Sequence, residues 1–230
     1  MESLLLAQSD STDGNLSLRH EPEEVVLPRR TAFLYKYGLA AEDCVFIQTE
    51  HKDKITHVVN SDKGSLITTE ALITKDTGVV LFLLTGDCFP VSFYDPIKGV
   101  VALAHLGWKP ANKGLVTKVI KEMTAVYGSQ PKDIMMFGGA GIQKGSYKFV
   151  DPVQKQLPAW SDFLTDIAGG ETTIDLAGFI KAQALEAGIA PNNIEMSAVD
   201  TAISDKYFSH YRSVRTGEPE ARFATILGLL

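Results

Sequence analysis

The sequence predicts an α+β fold with mixed β-sheets covered by helices. Three observations carry this. Predicted strands outnumber predicted helices. The two types follow one another without the regular alternation of a doubly wound parallel sheet. The strongest strand, Gly78 to Thr85 (GVVLFLLT), is apolar at nearly every position, the pattern of a strand buried on both faces.

In chain order, residues 8–24 are polar and acidic and read as a loosely held arm or a short edge strand. Pro28 to Leu39 predicts a helix that Pro28 starts and Gly38 stops. Val45 to Ile47, Ile55 to Asn60 and Glu70 to Thr74 are short strands. Pro90 to Tyr94 and Val100 to Ala104 form a hairpin around a turn at Asp95 to Gly99. Asn112 to Tyr127 is a helix, with Leu115, Val116, Val119, Ile120, Met123, Val126 and Tyr127 on one face and Gly128 as its stop. Ile134 to Phe137 is a strand leading into the glycine-rich loop Gly138-Gly139-Ala140-Gly141. A short helix is expected within 151–170. Asp175 to Ala187 is a second long helix, with Leu176, Phe179, Ile180 and Leu185 inward. Ile194 to Val199 and Phe223 to Leu229 are the last strands.

Composition excludes several classes. The 230 residues are 45% hydrophobic and 22% charged, so the chain is globular rather than disordered, with length for one large domain or two small ones. Net charge is -6, with no basic stripe, and no nucleic-acid partner is expected. No apolar run approaches the roughly 18 residues of a bilayer span. Leu4-Leu5-Leu6-Ala7 is too short and lacks the basic flank of a signal peptide. Two cysteines make no disulfide framework, so the expected compartment is cytoplasmic, with both thiols reduced.

The densest polar cluster borders the strongest strand. Thr85-Gly86-Asp87-Cys88 follows it, and Ala104-His105-Leu106-Gly107-Trp108-Lys109 ends the next buried strand. Hairpin pairing would bring Cys88 and His105 together. A thiolate beside an imidazole serves as a metal-ligand pair or as a nucleophile with its base. The alternative is a small core cysteine and a satisfied loop histidine. His51, just after Val45 to Ile47, is a candidate third ligand, and three ligands leave an open, catalytic zinc position. His57 competes with it from an apparent strand. His20 reads as solvated and Cys44 as core. The glycine loop reads as a tight turn before it reads as an anion cradle. Tyr207 to Arg212 offers rings and a cation for a planar, anionic ligand, or an edge strand with a surface arginine. Lys109 is a further anion contact.

TGDCFPVSFYDPIKGVVALAHLGWKPANKGLVTKVI resembles the core of the YfiH-like laccase-domain family, also described as purine nucleoside phosphorylases of the polyphenol oxidase type. That family carries Ala-Asp-Cys-x-Pro-Val and then Ala-His-x-Gly-Trp-Arg at this separation. FGGAGIQKGSYKFV and YFSHYRSVRTGEPEARFATILGL are similar to its later motifs, so the resemblance runs from about residue 15 to the C-terminus. Gln48-Thr49-Glu50-His51 is one residue longer than the family's Gln-x-His. Lys109 stands where the family has arginine, and Gly145 and Ser146 replace loop cysteines. Arg19 is the counterpart of an arginine near the family's start.

The resemblance implies a four-layer α/β/β/α sandwich, a single domain over 1–230 with residues 1–14 as a flexible arm, and a zinc site of His51, Cys88 and His105, with copper as the alternative metal. It implies phosphorolysis of purine nucleosides (adenosine, inosine, methylthioadenosine) and adenosine deamination, with nucleoside and phosphate as partners of a monomer or homodimer. Glu50, Asp87 and Tyr147 are candidates for proton handling or orientation. Lys109 and Arg212 are candidates for phosphate contact. Rival readings are a cysteine hydrolase using Cys88 and His105, a copper-dependent polyphenol oxidase, and a non-catalytic zinc-stabilised binding domain.

Overall fold

The structure, a computed structural model, describes residues 3–230. Its strands are β1 (Leu4–Gln8), β2 (Cys44–Gln48), β3 (Ile55–His57), β4 (Leu66–Thr68), β5 (Ala71–Thr74), β6 (Val80–Thr85), β7 (Phe89–Asp95), β8 (Val100–Leu106), β9 (Met135–Gly138), β10 (Lys148–Val150), β11 (Leu164–Asp166), β12 (Glu171–Ile174), β13 (Ile194–Met196) and β14 (Phe223–Leu229). Its helices are α1 (Glu23–Tyr35), α2 (Trp108–Asn112), α3 (Leu115–Tyr127), α4 (Leu176–Glu186) and α5 (His210–Thr216).

Two mixed sheets lie face to face. The first has the order β1-β14-β6-β2-β4 and the second β13-β9-β7-β8-β5-β3. The period-2 alternation of β6 explains the layering. Leu81 and Leu83 face the second sheet, while Val80 and Phe82 face α1 with Phe33 and Leu34. In β8, Val101 and Leu103 face the first sheet, while Ala102, Ala104 and Leu106 face outward towards α3 and α4. Each central strand thus fills two layers of core, and the result is a helix/sheet/sheet/helix sandwich. Burying one such Leu or Phe side chain is worth about 1.5–3 kcal/mol.

Several local expectations are corrected. The arm expected over 1–14 contains an ordered edge strand: β1 pairs antiparallel with β14 from Leu4↔Leu229 to Gln8↔Thr225. Met1 and Glu2 of that arm lie outside the described residues. The polar stretch beyond it is also fixed at Asn15. Asn15 Oδ1 accepts from Ser17 N at 3.0 Å and Arg222 N at 2.9 Å. Helix α1 begins after Pro22 and carries Pro28 inside it. Glu23 and Glu24 favour that earlier start through the helix dipole. The carbonyl that Pro28 leaves unpaired is that of Glu24, an exposed residue.

The helix expected over 112–127 breaks at Gly114, whose φ of 73° separates α2 from α3. Val126 and Leu185, expected inward, are exposed. The short helix expected within 151–170 is of the 3-10 type, Pro158–Phe163, and β10, β12 and β11 make a small antiparallel sheet around it. Tyr207 to Arg212 is not an edge strand: its second half opens α5, capped by Ser209, whose hydroxyl accepts from Arg212 N at 3.0 Å.

Candidate metal centre

The centre lies where both sheets end. His51 is on the loop after β2 in the first sheet. Cys88 closes the connection Gly86-Asp87-Cys88, which carries the chain from β6 into β7 of the second sheet. His105 is near the end of β8, paired with Pro90 across the β7–β8 hairpin. One ligand atom from each of His51, Cys88 and His105 lies within 4.8 Å of the others. The histidine rings meet edge to face, centroids 5.0 Å apart. His57 is elsewhere: its ring contacts Tyr127 Oη at 3.0 Å and Glu122 Oε2 at 3.1 Å.

Glu70, just ahead of β5, organises the cluster and was not singled out from the sequence. Its Oε2 lies 2.7 Å from His105 Nδ1, which directs Nε2 of that ring to the cluster. Its Oε1 accepts from the backbone N–H groups of Glu50, at 2.7 Å, and Lys52, at 3.0 Å. Those two bonds straddle His51 and hold its backbone in the left-handed region, φ 59°. Asp87 is the other strained residue beside the cluster, with φ 124°. A non-glycine residue at positive φ costs on the order of 1–3 kcal/mol and persists only where its surroundings enforce it.

Burial alone would raise the Cys88 thiol. The charge of His105 and hydrogen bonds from His105 and His51 outweigh it and bring the group to about 6. Burial works against charge on His105 as well, but the Cys88 thiolate and Glu70 hold that imidazole at about 9. The chain is therefore built for an ionised sulfur here. One soft thiolate and two imidazoles suit zinc, and also copper, and three protein ligands leave a position open to the cleft. Gly107 permits the approach: a Cβ there would stand 2.7 Å from Cys88 Sγ.

The cleft above the cluster has a volume of about 490 Å³. Trp108, Tyr147, Phe149 and Tyr211 supply its rings, and Arg19, Lys109, Arg215 and Arg222 its cations. Arg215 Cζ sits 3.4 Å from the Tyr211 ring centroid. Lys109 Nζ leans over Trp108 at 5.7 Å. Tyr147 lines the cleft, and its hydroxyl has no hydrogen-bond partner among the described residues. Burial, then the charges of Cys88 and Asp87, push its phenol well above the usual range.

Three expected site residues do other work. Asp87 is 8% exposed, and both carboxylate oxygens are committed: Oδ1 accepts from Thr201 Oγ1 at 2.7 Å and Oδ2 from Tyr211 N at 2.6 Å. Burial raises its pKa, and it ties α5 to the cluster loop. Glu50 points away and pairs with Lys52 at 2.6 Å, so the buried acid of the site is Glu70. Arg212 is a clamp rather than a free anion contact. It donates to Glu218, to the Thr201 and Ser204 carbonyls and to that of Tyr207. Arg215, one helical turn on, faces the cleft.

The glycine loop is the tight turn. Gly139, Ala140 and Gly141 N–H groups donate to Pro90 O, Gln8 Oε1 and Val199 O, leaving none of them for an anion. Cys44 is fully buried, as expected, and His20 is half-buried rather than solvated. Glu70 and Arg215 carried no local signal, since an acid before a short strand and an arginine in a polar helix are both ordinary.

No helix among the described residues is long and apolar enough to cross a membrane. The chain is 27% identical over 205 residues to a Bacillus subtilis protein named purine nucleoside phosphorylase YlmD, covering 84% of this chain and 74% of that one. It is likewise 27% identical over 206 residues to a Mycobacterium tuberculosis purine nucleoside phosphorylase, Rv2149c, covering 88% of this chain and 78% of the relative. The crystal structure of the Bacillus licheniformis hypothetical protein YfiH superposes with a TM-score of 0.91 at 26% identity, covering 99% of this chain and 93% of that one. A family model described as multi-copper polyphenol oxidoreductase laccase matches residues 7–229. With the fold, the donor cluster and a match of that length in agreement, the chain belongs to this laccase-domain family.

Proposed function

We propose that the protein is a zinc-dependent enzyme of purine nucleosides, cleaving them with phosphate and deaminating adenosine at the same site. The observation that carries this reading is the convergence of His51, Cys88 and His105 on the floor of a cleft walled by aromatic rings and cations. The relatives' names as purine nucleoside phosphorylases point the same way. The donor set fits zinc: a sulfur already favoured as thiolate, and a histidine whose other nitrogen Glu70 holds. When bound, the metal supplies Lewis acidity at the cleft floor.

The rest is work for the chain's own residues. Trp108, Tyr147, Phe149 and Tyr211 give a flat base surfaces to stack on. Tyr147 stays a phenol at neutral pH and offers its proton to the departing or reacting purine. Lys109 and Arg215, both exposed at the cleft, meet anionic oxygens. Asp87 acts through others: it fixes Tyr211 and the loop that carries Cys88.

The test is a product assay with adenosine and phosphate, with and without chelator, resolved by chromatography. Adenine or inosine formed only without chelator supports the reading and tells phosphorolysis from deamination. A cysteine hydrolase is the second reading, favoured by the thiolate of Cys88 beside His105. It predicts turnover that chelator leaves intact.

A further inference from the structure

The outer face of the first sheet carries another cavity, of about 240 Å³, which meets the metal cleft along Arg19, Thr49, Leu84 and Arg222. Its floor is apolar, with Phe46 of β2 and Phe82 of β6. Its polar rim is cationic: Arg19, Arg30 and Arg222 line it beside His20, whose burial favours the neutral imidazole, and no carboxylate does. This is a concentration of positive charge in a chain whose net charge is -6.

The cations are not equally satisfied. Arg222 is paired with Glu220 at 2.8 Å. Arg19 has no acid partner among the described residues. Arg30, on α1, stands with its Cζ 5.6 Å from both the Phe46 and the Phe82 ring centroids. Only its Nε is used, donating to Leu16 O at 2.8 Å. Nη1 and Nη2 have no partner among the described residues. His20 Nε2 is buried and also unpartnered, 3.8 Å from Glu220 Oε2. With Nε held by Leu16, the guanidinium turns the four N–H donors of Nη1 and Nη2 to the cavity, the planar fork that matches an oxyanion.

We propose that this cavity is a subsite for a phosphoryl group, held by the free nitrogens of Arg30 over Phe46 and Phe82 and closed from the solvent side by Arg19. The phosphoryl group belongs either to free phosphate or to a nucleoside monophosphate whose base enters the metal cleft past Thr49 and Leu84. The proposal deepens the nucleoside reading and rests on it for the identity of the ligand. It is tested by binding, without turnover.

The experiment is titration calorimetry at low ionic strength on the full chain, with inorganic phosphate, adenosine 5′-monophosphate and adenosine as separate probes. Wild type is compared with Arg30→Met, Arg19→Gln and, as a control for bulk charge, Lys132→Gln, an exposed lysine outside the cavity. Both arginine variants should weaken anion binding at least tenfold with the control unchanged, and Arg30→Met, outside the metal cleft, should also leave adenosine binding unchanged. A loss confined to phosphate identifies the free anion, and a loss confined to the monophosphate identifies the nucleotide. Arg19 is exposed and its side chain makes no hydrogen bond among the described residues, so its variant carries the test if Arg30→Met does not fold. Wild type that binds neither anion, or arginine variants that bind as wild type does, overturn the subsite. Arginine-dependent anion binding without any adenosine binding would leave the subsite standing and remove the nucleoside reading instead.

Discussion

Glu70 Oε2 lies 2.7 Å from His105 Nδ1, and both side chains are almost fully buried. An acid in this position sets the tautomer of a metal-ligating ring and raises its basicity. Glu70→Gln should therefore weaken zinc binding about 10–100-fold while the protein still folds. Competition against a colorimetric chelator reads the affinity, and circular dichroism reads the fold. Unchanged affinity would show that Glu70 only braces the loop around His51.

Gly107 leaves room for sulfur and nothing else. A Cβ there would stand 2.7 Å from Cys88 Sγ, and neither neighbour is a flexible chain end. Gly107→Ala should cost about 1–3 kcal/mol and displace the thiol from the cluster. Metal content by elemental analysis, beside a denaturant melt, separates those two effects.

Among the described residues Tyr147 has no hydrogen-bond partner for its hydroxyl, and burial keeps that group protonated. Tyr147→Phe removes only the hydroxyl from the cleft wall. If Tyr147 supplies the proton, kcat should fall about 100-fold or more with KM little changed. An unchanged kcat would reduce Tyr147 to a stacking surface.

Arg212 and Arg215 separate structure from binding within one helix. Arg212→Met leaves three carbonyls without their donor and should cost about 2–3 kcal/mol in a urea melt. Arg215→Met, at an exposed position, should leave the melt unchanged and raise KM for phosphate. The reverse pattern would exchange the two roles.

Cys44 predicts a pH dependence remote from the site. Burial pushes its thiol up from an ordinary value near 9 to about 12. Below pH 9 both folded and unfolded chains carry the thiol. Between 9 and 12 the unfolded chain loses the proton and the folded chain keeps it. The native state then binds more protons, so stability falls as pH rises, by up to about 1.4 kcal/mol per pH unit from this group. Denaturant melts across that window should show a shallower decline for Cys44→Ala than for wild type. Equal slopes would mean that the folded thiol ionises freely.

Strand cores were legible in the sequence because burial on both faces leaves a continuous apolar run, as in Val80 to Thr85 and Val100 to Leu106. Cys88 and His105 were legible as a pair because a hairpin joins their strands. The edge strand Leu4 to Gln8 and the segment around Asn15 were not. Their order comes from partners more than 200 residues away, Thr225 for Gln8 and Arg222 for Asn15. Glu70 was hidden for the same reason: its partner His105 is 35 residues distant and on another strand. Arg212 and Arg215 are alike in local sequence, and only the placement of Thr201, Ser204 and Glu218 around the first tells them apart.

The three candidate donors belong to two sheets, His51 to the loop that leaves one, His105 to the other, and Cys88 to the connection between them. An ion held by all three would rivet the mouth of the sandwich shut, and its removal would free that end to breathe while the far end stays closed. Backbone amides of residues 49–52 and 86–88 should then exchange with deuterium faster in chelator-treated protein, whereas those of β6 and β8 midway along the sheets keep their protection. The laccase-domain sandwich would thus carry its least durable hydrogen bonds in the connections that run on from its most durable strands, a few residues apart.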